Sequence, residues 1–117
     1  MNAQRATRSE ASVNEVRLGG RVSGEPTEVD LPSGTTISRF RIVVPRDSTA
    51  MTRGSKAVSD WFSCTAWSGA ARRAVKSFKV GDHVIISGSM RRHHVANWSG
   101  IASSVVEIEV LKAKRVA

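Results

Sequence analysis

An all-β barrel of five strands, with one helix between the third and the fourth, is the fold class this sequence predicts. Three observations carry it. Five segments alternate apolar and polar residues with the period of two that a half-buried strand requires. One segment, Ala70 to Lys79, has instead the spacing of an amphipathic helix. Pro32-Ser33-Gly34, Ser68-Gly69 and Gly81-Asp82 stand between these segments as turn, cap and start signals. At 117 residues the chain makes one domain around one hydrophobic core.

Residues 1–12 lack periodicity and bulky apolar groups and are expected to form a disordered N-terminal arm, ahead of a folded domain over 13–111 and a short basic tail over 112–117. In the first strand Val16, Leu18, Gly20 and Val22 face inward while Glu15, Arg17, Gly19 and Arg21 face outward. Gly19 and Gly20 predict a bulge or sharp bend, and Gly24-Glu25-Pro26 an interruption before a short edge segment over Thr27 to Leu31. The second strand, Ser38 to Val44, points Phe40, Ile42 and Val44 inward and Arg39, Arg41 and Val43 outward. Pro45 to Ser59 has no period, is longer than an ordinary hairpin connection, and reads as a flexible basic arm carrying Arg46, Arg53 and Lys56. The third strand runs from Asp60 to Trp67. The helix follows, with Ser68 as N-cap, Ala70, Ala71, Ala74, Val75 and Phe78 as its apolar stripe and Gly81 as its stop. In the fourth strand Val84, Ile86, Gly88 and Met90 face inward, and it ends in Arg91-Arg92-His93-His94. Val95 to Ala102 is a hairpin tip, and the fifth strand, Ser103 to Leu111, puts Val106, Ile108 and Val110 inside.

The third strand is anomalous. Alternation places Trp61, Ser63, Thr65 and Trp67 on one face and Phe62, Cys64 and Ala66 on the other, so the two largest aromatics sit on the polar side of a strand whose core face is already supplied. Something flat is expected to cover them: nucleic-acid bases, a second subunit, or a loop of the same chain. Charge narrows the choice. Eighteen Lys and Arg against ten Asp and Glu give a net charge of +8, which favours a polyanionic partner.

Five strands with a helix after the third is the element order of the oligonucleotide-binding barrel, a small, partly open Greek-key barrel that binds its ligand on strands 2 and 3 between the 1–2 and 4–5 loops. On that map Trp61, Trp67 and Trp98 become stacking platforms, and Arg39, Arg41, Arg91 and Arg92 converge with them on one groove. Arg21, the basic arm's Arg46, Arg53 and Lys56, and His93 join as candidate phosphate or backbone contacts. Unstacked bases need flat apolar surfaces and their phosphates need cations, so the constellation suits single strands; a duplex keeps its bases stacked. The bland alternatives are arginines on a solvated face and tryptophans packed at a subunit contact.

Other chemistries find little support. There is no glycine-rich phosphate loop, no nucleophile elbow and no pair of acids placed to work together, so an enzyme is not expected. No cofactor is expected. No metal site is either, since His93 and His94 are adjacent and diverge on an extended strand. Cys64 lies on a core face as a packing residue, and a lone cysteine, a polar N-terminus and the lack of a long apolar run together suggest a reducing, cytoplasmic setting without a membrane partner. Two rival functions remain: a barrel serving as a protein-interaction module, and an RNA-binding barrel of the cold-shock kind.

Asn14 to Val22 followed by Gly24-Glu25-Pro26, then Ser33-Gly34, Phe40-Arg41-Ile42, Asp60-Trp61-Phe62 through Trp67-Ser68-Gly69, Lys79-Val80-Gly81-Asp82-His83-Val84 and Gly88-Ser89-Met90-Arg91, resembles the bacterial single-stranded DNA-binding protein family over about Val13 to Val110. The resemblance implies sequence-independent binding of single-stranded DNA in replication, recombination or repair, and a homotetramer. Trp61 and Trp67 fall where the family has stacking aromatics. Ser48 and Val95 stand near two positions where it often has tryptophan, with Trp98 as a substitute for the second, and the losses imply weaker or shorter-footprint binding. Members that run replication commonly end in an acidic tip that recruits repair enzymes; this sequence ends in the basic Lys112 to Ala117, as expected of an accessory paralogue that does not recruit through such a tip, or of a shortened chain.

Overall fold

The alternating segments are realised as β1 (Val16–Asp30), β2 (Thr36–Pro45), β3 (Ser59–Ala66), β4 (His83–Ala96) and β5 (Ala102–Arg115), with α1 (Gly69–Lys76) between β3 and β4. The computed structural model of the protein describes residues 11–96, 100 and 102–116. Its strands form a closed barrel in the order β1-β2-β3-β5-β4, with β4 pairing back onto β1. Every pairing is antiparallel except β3 with β5, where Cys64, Thr65 and Ala66 lie beside Ile108, Glu109 and Val110.

Alternation fills the barrel. Val22, Phe40, Ile42, Cys64, Ala66, Val84, Ile86, Ile108 and Val110 are buried together with Ala71, Val75 and Phe78 from α1 and its exit. The helix begins where the Ser68 Oγ accepts the Ala71 N–H at 3.1 Å, which satisfies one of its free amides. It ends at Ser77, short of the expected Gly81, because the Ser77 and Phe78 N–H groups bond the Ala74 and Val75 carbonyls in a tighter turn that buries Phe78. Phe78 then meets Phe40 edge to face, with centroids 5.7 Å apart. One solvated side of α1 is tied to β1: Arg72 and Lys76 both reach Glu28.

Two irregularities bend the barrel, and neither lies at Gly19 and Gly20. β1 is one strand of 15 residues whose pairing with β2 shifts between Ser23 and Thr27, with Gly24 at φ +84°. Gly24-Glu25-Pro26 is therefore a kink inside a continuous strand and does not end it. Gly20 serves another purpose: a Cβ there would overlap the Val43 carbonyl. The second irregularity lies where Ser87 pairs with Lys112 but Gly88 with Val110, leaving Leu111 as the extra residue. Leu111 bulges outward and exposed, and Val110 and Ala113 both turn toward the core.

Three expectations are corrected here. Met90 and Val106, expected inside, are exposed, because β4 and β5 run on past Gly88 and Ile108 as a two-stranded ribbon with no core beneath it. Residues 112–115, expected as a tail, belong to β5: Lys112, Ala113, Lys114 and Arg115 pair with Ser87, Ile86, Ile85 and Val84. The segment read as a flexible arm is knotted to itself, through Thr49 with Thr52, Thr52 with the Asp47 carbonyl and Arg46 with Ser55. The N-terminal arm, apart from Ala11 and Ser12, and Trp98 lie outside the described residues.

Candidate nucleic-acid interface

Strand register arranges the outer face of β1, β2 and β3 in rows. Trp61 lies beside Val43 and Val43 beside Arg21; Ser63 beside Arg41 and Arg41 beside Ser23; Thr65 beside Arg39 and Arg39 beside Thr27. Trp67 follows at the end of β3, just before the Ser68 cap. Both tryptophans are open to solvent, Trp61 at 59% and Trp67 at 46% of its surface. No loop among the described residues closes over either.

The Arg41 guanidinium carbon lies 4.1 Å from the centroid of the Trp61 ring. That is cation–π distance. The contact crosses the ladder diagonally, since Arg41 sits opposite Ser63 and Trp61 opposite Val43, a reach long side chains make on one sheet face. It places a positive charge over one face of the Trp61 indole.

Two adjoining hollows continue from this face toward the β4–β5 ribbon. One, of about 660 Å³, is lined by Trp67, Ile37, Arg39, Thr65 and Arg91 among others. The other, of about 410 Å³, runs past Arg41, Ser63 and Ser23. Arg39, Thr65, His93 and Glu107 belong to both and join them into one groove.

The predicted site residues divide. Trp61, Trp67, Arg39 and Arg41 share the face of β2 and β3, and Arg91 and His93 reach the groove from β4. Arg92 does not join them: it alternates to the opposite side of the ribbon, where it bonds Ser104. Arg21 lies at the far end of the Trp61 row, in a separate hollow with Val43 and His83. Arg46 pairs with Asp60 at 2.8 Å, and this bond, more than the nearby charge itself, holds the Asp60 carboxyl below its usual range. Arg53 and Lys56 are exposed and form no ion pair among the described residues.

Sequence reasoning missed the acidic side of the groove. Glu109 accepts from Arg91 Nε at 2.9 Å, and Glu107 faces His93 Nε2 at 3.5 Å. The signal was available, since both glutamates alternate with Ile108 and Val110 and so had to face outward. Cys64 lies directly behind this floor, buried as expected, with burial pushing its thiol up to about 12.

The family model of the single-strand binding protein family matches residues 13–116. The chain belongs to that family. It is accordingly a single-stranded DNA-binding protein and not an enzyme. This member's barrel is similar to that of a solved structure described as the Plasmodium falciparum SSB complex with ssDNA, with a TM-score of 0.72 at 20% sequence identity over 93% of this chain and 97% of that one. At that identity the likeness speaks for the fold. No curated protein matches the chain. Among the described residues of this member no helix is long and apolar enough to cross a membrane, and no group of three metal-ligating side chains occurs.

Proposed function

We propose that a single DNA strand lies along the outer face of β2 and β3, with bases stacked on Trp61 and Trp67 and phosphates against Arg39 and Arg41. One observation carries this reading: two solvent-open indoles on the polar face of one strand, interleaved with the arginines of its neighbour. Stacking is indifferent to base identity and contributes roughly 1–3 kcal/mol per base. Phosphate neutralisation adds a term that salt weakens.

Arg39 is the cation best placed for a phosphate, because it lines both halves of the groove and carries no ion pair among the described residues. Arg21, Arg53 and Lys56 extend the positive surface along the strand's path. Arg91 and His93 contribute less net charge, each facing a carboxylate. Trp98, between β4 and β5 in the sequence, is a further stacking candidate.

The assembly we propose is a homotetramer, on the family resemblance, with exposed Val13, Met90, Val106 and Leu111 as the apolar surface that contact between copies would cover. Its place is the nucleoid of the cytoplasm, protecting strands exposed in replication, recombination or repair.

Trp61→Ala and Trp67→Ala are each expected to weaken binding of a thymidine oligomer by roughly 1–3 kcal/mol. Arg39→Ala is expected to reduce the salt slope by about 0.7. Circular dichroism establishes that each variant is folded; unchanged affinity or slope in a folded variant removes that residue from the path. Matched DNA and RNA oligomers test the RNA reading, since an RNA specialist gains from the 2′-hydroxyl.

A further inference from the structure

The two indoles of the groove are not equivalent. The Arg41 guanidinium lies over the Trp61 ring, 4.1 Å from its centroid, and among the described residues no cation lies over Trp67. Trp61 is nevertheless the more exposed of the two. One face of its ring is therefore backed by charge while the other is left open to a ligand. Arg41 is itself exposed and forms no ion pair among the described residues. It reaches Trp61 diagonally across the β2–β3 ladder, so the pair is set by strand register and both partners stand on the outer face.

From this contact, and resting on the proposed path of the strand, we infer that Arg41 is a positioning residue that acts through Trp61: it covers one face of the indole, leaves the other to the base, and makes Trp61 the stronger of the two platforms. An indole ordered before the strand arrives has less rotamer freedom to lose on binding than one with no such support. Base identity plays no part, because the support lies on the protein side of the stack. A guanidinium is planar and carries its N–H donors in that plane, so a guanidinium laid over a ring keeps an edge of donors for a neighbouring phosphate. Lysine does not replace it: its ammonium keeps the charge but is a compact, strongly hydrated point without the plane that stacks. A cation that met phosphates alone would act on any strand, with or without bases and with or without Trp61. Support of the stack needs both.

The test is a double-mutant cycle on the full-length protein with Arg41→Lys, Trp61→Ala and the two combined, titrated with a labelled thymidine strand of about 15 nucleotides and with an abasic strand of the same length. Arg41→Lys is expected to weaken thymidine binding by about two- to five-fold, the size of an exposed cation–π contact. Its salt slope should equal that of the parent protein, because no charge is lost, and its affinity for the abasic strand should be unchanged. In the Trp61→Ala background the same substitution should change nothing. Trp61→Ala alone should weaken thymidine binding more than Trp67→Ala does. An Arg41→Lys protein that binds thymidine as the parent does overturns the inference and leaves the stacking groove standing. So does a loss that is equal on the abasic strand, a loss that persists without Trp61, or a Trp67→Ala loss as large as that of Trp61→Ala. Thymidine binding that neither tryptophan substitution weakens overturns the groove and the inference together.

Discussion

Trp61 stands where the fold meets the proposed path of the DNA strand. β3 places it outside because Phe62 and Cys64 already serve the core side, and β2 supplies Arg41 diagonally across the ladder to hold it. A base stacking here meets an indole already oriented, so less side-chain freedom remains to be lost on binding. Cys64, on the other face of the same strand, is sealed. Because burial pushes its thiol up to about 12, almost no thiolate exists at neutral pH. Ellman's reagent is expected to leave native protein unlabelled for as long as it stays folded and to react with one thiol after denaturation. Fast labelling of folded protein would show that the β3 core face opens. The face each residue occupies, Trp61 outside and Cys64 inside, was legible from alternation alone. The Arg41 contact was not, because it depends on the register between strands that are separated in the chain by a loop of about 13 residues.

Among the elements, β1 and β5 carry the curvature. Alternation gave the inward residues of β1 as far as Val22, and Gly24 marked the kink, but whether the strand stopped or bent there depended on β2 continuing to pair through Thr27 to Asp30. The β5 bulge at Leu111 left no mark in the sequence, since Lys112 to Arg115 read as a charged tail until their partners on β4 were known. Gly88 sits against this bulge, where an added Cβ would overlap the Glu109 carbonyl. Gly88→Ala is expected to destabilise the protein by about 1–3 kcal/mol through forced backbone movement, measured as a lower urea midpoint. A midpoint equal to that of the parent protein would mean the ribbon shifts freely. Because Glu109 also lines the groove, this variant should disturb binding as well as stability.

At the scale of the molecule, the +8 charge is unevenly committed. Arg46, Arg72, Lys76, Arg91 and Arg115 are taken up in ion pairs that fasten loop, helix, ribbon and strand end, whereas Arg39 stands open on the groove. Composition and element order were enough for the barrel and for the sign of its partner. They could not divide cations that fasten the fold from cations left for a ligand, because that division is made by carboxylates brought near only on folding. Three of these carboxyls are held below their ordinary range: Glu28 by the bond and charge of Lys76 and then by Arg72, Asp60 by Arg46, and Asp82 by the Lys79 backbone N–H and then by Arg115. A depressed carboxyl stabilises the fold above its unfolded pKa, and that stabilisation is lost as pH falls through the folded pKa. Thermal stability is therefore expected to be level from about pH 8 to about pH 5 and to decline below about pH 4. Asp82→Asn should make the decline shallower; an identical profile would mean these pairs have no share in it.

The most direct measurement of the groove is tryptophan emission during titration with a thymidine oligomer of about 35 nucleotides at two salt concentrations, with a duplex of equal length as control. Stacking on solvent-open Trp61 and Trp67 predicts strong quenching by the single strand, a weaker affinity at the higher salt and almost no response to duplex. Unchanged emission on adding the single strand to folded protein would contradict the account and move both tryptophans from a DNA groove to a contact between subunits.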